Sequence, residues 1–206
     1  MFILRVQLPE LPGTLGRIAT AIGAAGADIQ ALEIVGHGDG FAIDDFVVDL
    51  PGDVLADTVV AACQSVDDVR VLWVSRSQGT WTIASDVEVL DAMTANPSCA
   101  KTILLSEAPN LFHCAWAMLA NQDRQVLAAT QTAPVLNESA WEDIGALSSV
   151  RTVELPSEWL PEWGETIVAI APMGADQAIL IGRQGGPSFL RSELTRLKYL
   201  ARLATV

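Results

Sequence analysis

Leu8-Pro9-Glu10-Leu11-Pro12-Gly13-Thr14-Leu15-Gly16 ends one periodic pattern and begins another. Before it, Phe2, Leu4, Val6 and Leu8 alternate with Ile3, Arg5 and Gln7, the period-two signature of a half-buried strand. After it, Leu15, Ile18, Ala19, Ile22 and Gly23 recur at helical spacing, with Thr14 the expected N-cap. Pro9 and Pro12 stop the strand ladder, and Gly13 permits backbone angles closed to other residues. The loop delivers a helix N-terminus, with unpaired N–H groups and the positive dipole end, beside a strand end. That arrangement suits a small anion such as a carboxylate.

Downstream, Gly26-Ala27-Asp28-Ile29 turns from helix into a strand that runs to about Val35. Gly36-His37-Gly38-Asp39-Gly40 predicts a tight reversal, after which Phe46, Val48 and Leu50 alternate with Asp45, Val47 and Asp49. Leu55, Val59, Ala62, Cys63 and Val66 mark a second helix, and Val69 to Val74 a last strand. The expected order, βαββαβ, is that of the ferredoxin-like split βαβ arrangement.

Residues 2–74 resemble an ACT domain, the small regulatory module that binds amino acids in many metabolic enzymes and free-standing sensors. The resemblance rests on Glu10-Leu11-Pro12-Gly13 with Leu15 after it, on Gly26-Ala27-Asp28-Ile29, and on the element order. It implies a ligand held at an ACT–ACT dimer interface. Amides around Gly13, Thr14 and Leu15 would take a carboxylate. The polar positions matching Glu10 and Asp28, from opposite subunits, would take an ammonium group, and Leu11 and Ile29 would frame the ligand side chain. Both polar positions are acidic here, which suits a cation and favours a basic or amine ligand. Glu10 also reads as a solvated loop carboxylate, and Asp28 as a residue that merely opens a strand.

Composition bounds the rest. The 206 residues carry a net charge of −13, which argues against nucleic acid, whose phosphates need clustered Lys and Arg. Half of the residues are hydrophobic and only 18 % charged, so a sizeable core is expected. No apolar run reaches a membrane span, and no export signal stands at the N-terminus, so a cytoplasmic protein is expected. Cys63, Cys99 and Cys114 have no CxxC spacing and read as reduced, mostly buried thiols.

Residues 76–79 read as a short linker between an ACT-like domain over 1–75 and a second domain over 80–206. In that second region helices are expected at Val87–Ala95, Ala100–Ser106 and Ser139–Leu147, and from Ser188 to the end. Ala115–Ala120 and Val126–Thr132 read as a hairpin, with further strands at Arg151–Leu155, Thr166–Ala171 and Ala178–Gln184. The hairpin Trp116-Ala117-Met118-Leu119-Ala120 to Val126-Leu127-Ala128-Ala129-Thr130 resembles that of a GAF domain. So does Ile179-Leu180-Ile181-Gly182 followed by Phe189-Leu190-Arg191-Ser192-Glu193-Leu194. The resemblance implies an α+β domain with a central antiparallel sheet. The sequence lacks the Asn-Lys-x-Phe-Asp-Glu motif of cyclic-nucleotide-binding members and a context for chromophore attachment at Cys99 or Cys114. In the last helix Leu190, Leu194, Leu197, Ala201 and Ala204 form one stripe, with Phe189, Leu200 and Leu203 beside it. That broad apolar face predicts a partner helix. Arg183, Arg191, Arg196, Lys198 and Arg202 read either as a docking patch or as a solvated face.

Catalysis has little support. His37 and His113 lack a neighbouring nucleophile or carboxylate at a catalytic spacing, and no metal or phosphate-loop motif is present. Gly182-Arg183-Gln184-Gly185-Gly186 reads as a strand-to-helix turn, and Trp159-Leu160-Pro161-Glu162-Trp163 as aromatic loop packing or a pocket cover. The expected function is a non-catalytic, amino-acid-binding sensor without cofactor or metal, acting as a homodimer. The alternative is a regulatory subunit of a separate biosynthetic enzyme, similar to the small subunit of acetohydroxyacid synthase.

Overall fold

Alternation over the first residues becomes strand β1 (Phe2–Pro9), an inner strand of a four-stranded antiparallel sheet in the computed structural model. The structure describes residues 1–52, 54–76, 83–160 and 163–205. They divide into two compact units, Met1–Thr82 and Ile83–Val206. Arg76 closes a strand, and residues 77–79 of the expected linker lie outside the described residues.

In the first unit β1 is followed by α1 (Thr14–Ala24), β2 (Asp28–Gly38), β3 (Phe41–Asp49), α2 (Ala56–Gln64) and β4 (Arg70–Arg76). The sheet order is β2-β3-β1-β4. β2 runs on through Gly36, His37 and Gly38, which were expected to turn, and the reversal narrows to Asp39 and Gly40, at φ 53° and 80°. Two consecutive positive φ values match the right-handed twist of the flanking strands. Leu4, Val6 and Leu8 of β1 and Ala42, Phe46 and Val48 of β3 share one core with Ile18 and Ile22 of α1 and Val59 and Cys63 of α2.

The opposite face of β1 departs from expectation. Ile3 and Arg5 are each 1 % exposed, so this strand is buried on both faces rather than one. Arg5 is tolerated there because Asp45, its cross-strand neighbour, accepts Nε–H at 2.8 Å and Nη2–H at 2.7 Å. A bidentate carboxylate offsets the cost of taking the guanidinium out of water.

The second unit runs α3 (Ile83–Ala95), α4 (Ala100–Leu111), β5 (Trp116–Asn121), β6 (Val126–Ala129), α5 (Glu138–Ile144), β7 (Arg151–Leu155), β8 (Thr166–Met173), β9 (Gln177–Gln184) and α6 (Arg191–Leu203). Its five strands pair antiparallel in the order β6-β5-β9-β8-β7. The chain is thus a mixed α+β protein with two antiparallel sheets. Trp116, Met118, Val168, Ile170 and Leu180 form a core with Trp141 and Ile144 of α5 and Trp159. The alternate positions, among them Ala117, Ala169, Ala171 and Ile181, are buried too, and α4 and α6 contact these strands.

Several helix boundaries move: α3 begins at Ile83 rather than Val87, and α5 ends at Ile144 rather than Leu147. α4 continues five residues past the expected Ser106. α6 begins at Arg191 rather than Ser188, because the Glu193 carboxylate accepts the Leu190 N–H at 2.7 Å and starts the helix there. The broad apolar face of α6 is absorbed largely within its own unit. Phe189 and Leu200 are buried, and Leu203 is half exposed. Arg183 is not a docking cation: it is buried, donating Nη2–H to Glu193 and to the Phe112 carbonyl, both at 2.7 Å. Arg196 is turned inward as well, 3.6 Å from Asp86 and donating to the Leu111 carbonyl.

Gly182 explains how Trp116 fits. A Cβ built on it would stand 2.0 Å from the indole Cε2, so the ring lies flat against bare backbone. The indole N–H is buried there without a hydrogen-bond acceptor among the described residues. Gly182→Ala is expected to destabilise the protein by about 1–3 kcal/mol through overpacking. A denaturant midpoint equal to that of the wild type would show that the indole has room to move.

Candidate functional site

The turn between β1 and α1 adopts a conformation that only its glycine takes cheaply. Gly13, at φ 88°, occupies the N-cap position, so Thr14 is the first helical residue and not the cap expected from sequence. No side chain caps this helix. The Thr14 side chain is instead buried, its hydroxyl accepting from Arg17 Nη2 at 3.1 Å. The turn is tied back by Leu11 N–H to the Pro9 carbonyl at 2.8 Å and Glu10 N–H to the Gly40 carbonyl at 2.9 Å.

Those bonds decide which amides are free. Thr14 N–H is taken by the Leu11 carbonyl at 3.2 Å, which removes it from the expected set. The amides of Gly13, Leu15 and Gly16 meet no acceptor among the described residues. Three donors at the positive end of an eleven-residue helix form a ready cradle for a carboxylate.

The remaining expected residues fall into two groups. Glu10 stays at the turn, its Oε1 3.0 Å from Nδ1 of His37, with both side chains about half exposed. A contact so open to water adds little stability. Leu11 is 64 % exposed and Leu15 36 % exposed. Asp28 and Ile29 lie elsewhere. Asp28 pairs with Asp49 at one end of β2, while Glu10 follows the Pro9–Phe41 pair at the other. The eleven residues of β2 separate them by on the order of 30 Å. A single chain does not bring Glu10 and Asp28 together. Asp28 Oδ2 accepts instead from Gln30 Nε2 at 2.7 Å, and Ile29 packs at the margin of the core.

One residue near the turn escaped the sequence reading. Asp44 on β3 is 2 % exposed, and its Oδ1 has no hydrogen-bond partner among the described residues. It shares the period-two phase of Phe46, Val48 and Leu50, so alternation already put it on the core face, and only its lack of a partner waited on the fold. Burial raises its pKa above the ordinary 3.8, with His37 pulling it down and Asp45 pushing it up.

β2 is an edge strand, with Leu32 at 41 % and Ile34 at 50 % exposure on the strand that flanks β3. Elsewhere the chemistry is sparse. Burial pushes the thiols of Cys63 and Cys114 up to about 11 and about 12, so both are neutral and unreactive near pH 7. Cys99 is exposed, against the expectation of mostly buried thiols. A cleft of about 470 Å³ beside β7 and β8 is lined by Glu154, Glu165, Thr166 and Gly185 among others. The glycine-rich segment after β9 is a turn, with Gly185 at φ 59°. Trp159 and Trp163 meet edge to face at 6.3 Å as loop packing, and Pro161 and Glu162 between them lie outside the described residues. No group of His, Cys, Asp and Glu that could hold a metal occurs among the described residues. No helix among them is long and apolar enough to cross a membrane.

Comparison with known proteins gives partial matches. No family model matches the chain. NAD-dependent malic enzyme 1 of Bacillus subtilis is 35 % identical over 65 residues, which are 32 % of this chain and 15 % of that enzyme. The chain thus spans less than a sixth of the curated relative it matches. Among solved structures, an unknown protein from Galdieria sulphuraria has a TM-score of 0.32 at 12 % identity, over 97 % of this chain and 90 % of the other. The GAF domain of a sensor histidine kinase from Pseudomonas syringae pv. tomato has a TM-score of 0.37 at 10 % identity, over 60 % of this chain and 86 % of the other.

Two outcomes test this geometry. Nothing lies within 4 Å of a Cβ at Gly13, so Gly13→Ala carries only the left-handed backbone cost of about 1–2 kcal/mol, read as a lowered denaturation midpoint. The raised pKa of Asp44 means that the folded chain keeps this proton where the unfolded chain has released it. Stability therefore falls as pH rises from 3.8 through the raised folded value. Midpoints measured between about pH 4 and pH 7 should show this decline for the wild type and lose that component in Asp44→Asn.

Proposed function

We propose that this protein is an amino-acid-responsive regulatory homodimer whose first unit is a ferredoxin-like ACT domain. The observation that carries the reading is the uncapped α1 N-terminus, where the amides of Gly13, Leu15 and Gly16 stand without acceptors. The element order and the sheet order β2-β3-β1-β4 support it. The second unit, read as GAF-like, would respond to the arrangement of the pair. That response requires a ligand that prefers one arrangement over another.

Pairing also answers the separation of Glu10 and Asp28. Two β2 edges joined antiparallel about a twofold axis place the Asp28 end of one copy beside the Glu10 end of its twin. The same contact would cover Leu32 and Ile34 and remove an open strand edge. A ligand at that seam touches both copies.

A second reading is the regulatory subunit of a separate amino-acid-biosynthetic enzyme. The 65-residue match within a much longer metabolic enzyme favours it, since it is the size of a module shared between otherwise different chains. Co-purification with a large catalytic chain would distinguish it from a free-standing sensor.

Calorimetry of the intact protein against the twenty amino acids is expected to reveal binding at or below millimolar concentration. Ile34→Lys, which places a charge on the open edge, is expected to yield a monomer by light scattering and to abolish that binding. No binding by the wild type, or full binding by a monomer, would refute the shared-site reading.

A further inference from the structure

We propose that Asp44 is a ligand-binding residue, its buried carboxylate receiving the ammonium group of an amino acid or related amine held at the Gly13 turn. The inference rests on the amino-acid-binding reading of that turn and adds to it the group that selects for positive charge.

A carboxylate oxygen buried without a partner costs free energy that the fold does not recover by itself. Asp44 Oδ1 is such an atom, on a residue 2 % exposed. The nearest structural solution is already spent. Arg5 donates to Asp45, and Asp45 points to the opposite face of β3. The titratable groups that act on Asp44 are His37 from β2 and Asp45 from its own strand, and the His37 ring is engaged with Glu10. No hydrogen bond among the described residues reaches Asp44 Oδ1, and His37 acts on the carboxylate through charge alone.

Its position relates it to the turn. Asp44 shares a face of β3 with Ala42 and Phe46, which pack with Ile18 and Ile22 of α1. Ala42 stands in register with Leu8, and the Gly13 turn follows at the end of that strand. Asp44 is two residues further along β3, about 7 Å. On its outer side Ile34 is in register with it and half exposed, so one strand spacing, about 4.8 Å, lies between Asp44 and the open edge. The turn offers unfilled donors and Asp44 an unfilled acceptor. Together they complement a zwitterion, carboxylate at one end and ammonium at the other.

Calorimetry on the full-length protein tests this with the twenty amino acids. For each that binds, analogues carrying a hydroxyl in place of each ammonium group are measured in turn. Asp44→Asn should weaken amino-acid binding about tenfold or more while changing hydroxy-analogue binding less than about twofold. The unliganded variant should melt above the wild type near neutral pH, since the amide carries no charge to desolvate. Equal amino-acid affinity in the variant overturns the assignment and leaves the amino-acid-binding reading standing. No amino acid bound by the wild type overturns that reading and this inference with it. A variant that does not fold contradicts the expected gain in stability and overturns the inference as well. The wild type supplies an independent measurement: amino-acid affinity should fall on acidification through the Asp44 titration while hydroxy-analogue affinity stays level, and parallel profiles would overturn it.

Discussion

A left-handed glycine between a strand and a helix fixes what the first unit can do. With Gly13 at φ 88°, the chain leaves β1 and enters α1 without a side-chain cap. An ordinary cap would have filled one of the orphan amides with a Ser, Asp or Asn oxygen. Here those donors face outward from the positive end of the helix dipole. The cost of that choice is borne by the packing beneath it, where Ile18 and Ile22 lock α1 onto β1 and β3. The start of α1 and the set of amides left open there both follow from this one bend.

Charge inside the protein is managed in two contrasting ways. Arg5 with Asp45, and Arg183 with Glu193, are closed pairs, each buried and each joined by short hydrogen bonds. Such pairs hold neighbouring elements in register, β1 to β3 and β9 to the start of α6. Asp44 stands one residue from a closed pair and has none of its own. Of these neighbouring carboxylates on one strand, Asp45 is matched by a guanidinium and Asp44 Oδ1 by no hydrogen bond among the described residues.

The two units differ in how their cores are filled. The first relies mainly on Leu, Ile and Val side chains, with Phe46 among them, between two helices and a sheet. The second places Trp116, Trp141 and Trp159 on one face of its sheet, and the bare backbone of Gly182 makes the space for the first of them. Rings of that size leave little freedom for repacking. Ligand recognition on that face would have to displace aromatic core.

Alternation and turn chemistry made the strands legible in sequence: β1 from Phe2 to Leu8, the Asp39-Gly40 reversal, and β7, β8 and β9 fall within a few residues of expectation. These are local properties, set by side-chain period and by the φ angles a residue tolerates. Gly13 was legible for the same reason. The cap was not, because whether Thr14 turns out to cap or inward to pack depends on what surrounds it, and here it is buried. The expected βαβ order already set Glu10, after β1, and Asp28, at the start of the parallel strand β2, at opposite ends of the sheet, and the tertiary structure keeps them there. It alone turned Arg183 and Arg196 inward and left the Asp44 oxygen without a partner among the described residues. A residue's identity and period determine which elements form; which charges meet, and which are left unanswered, depends on the neighbours that folding brings to them.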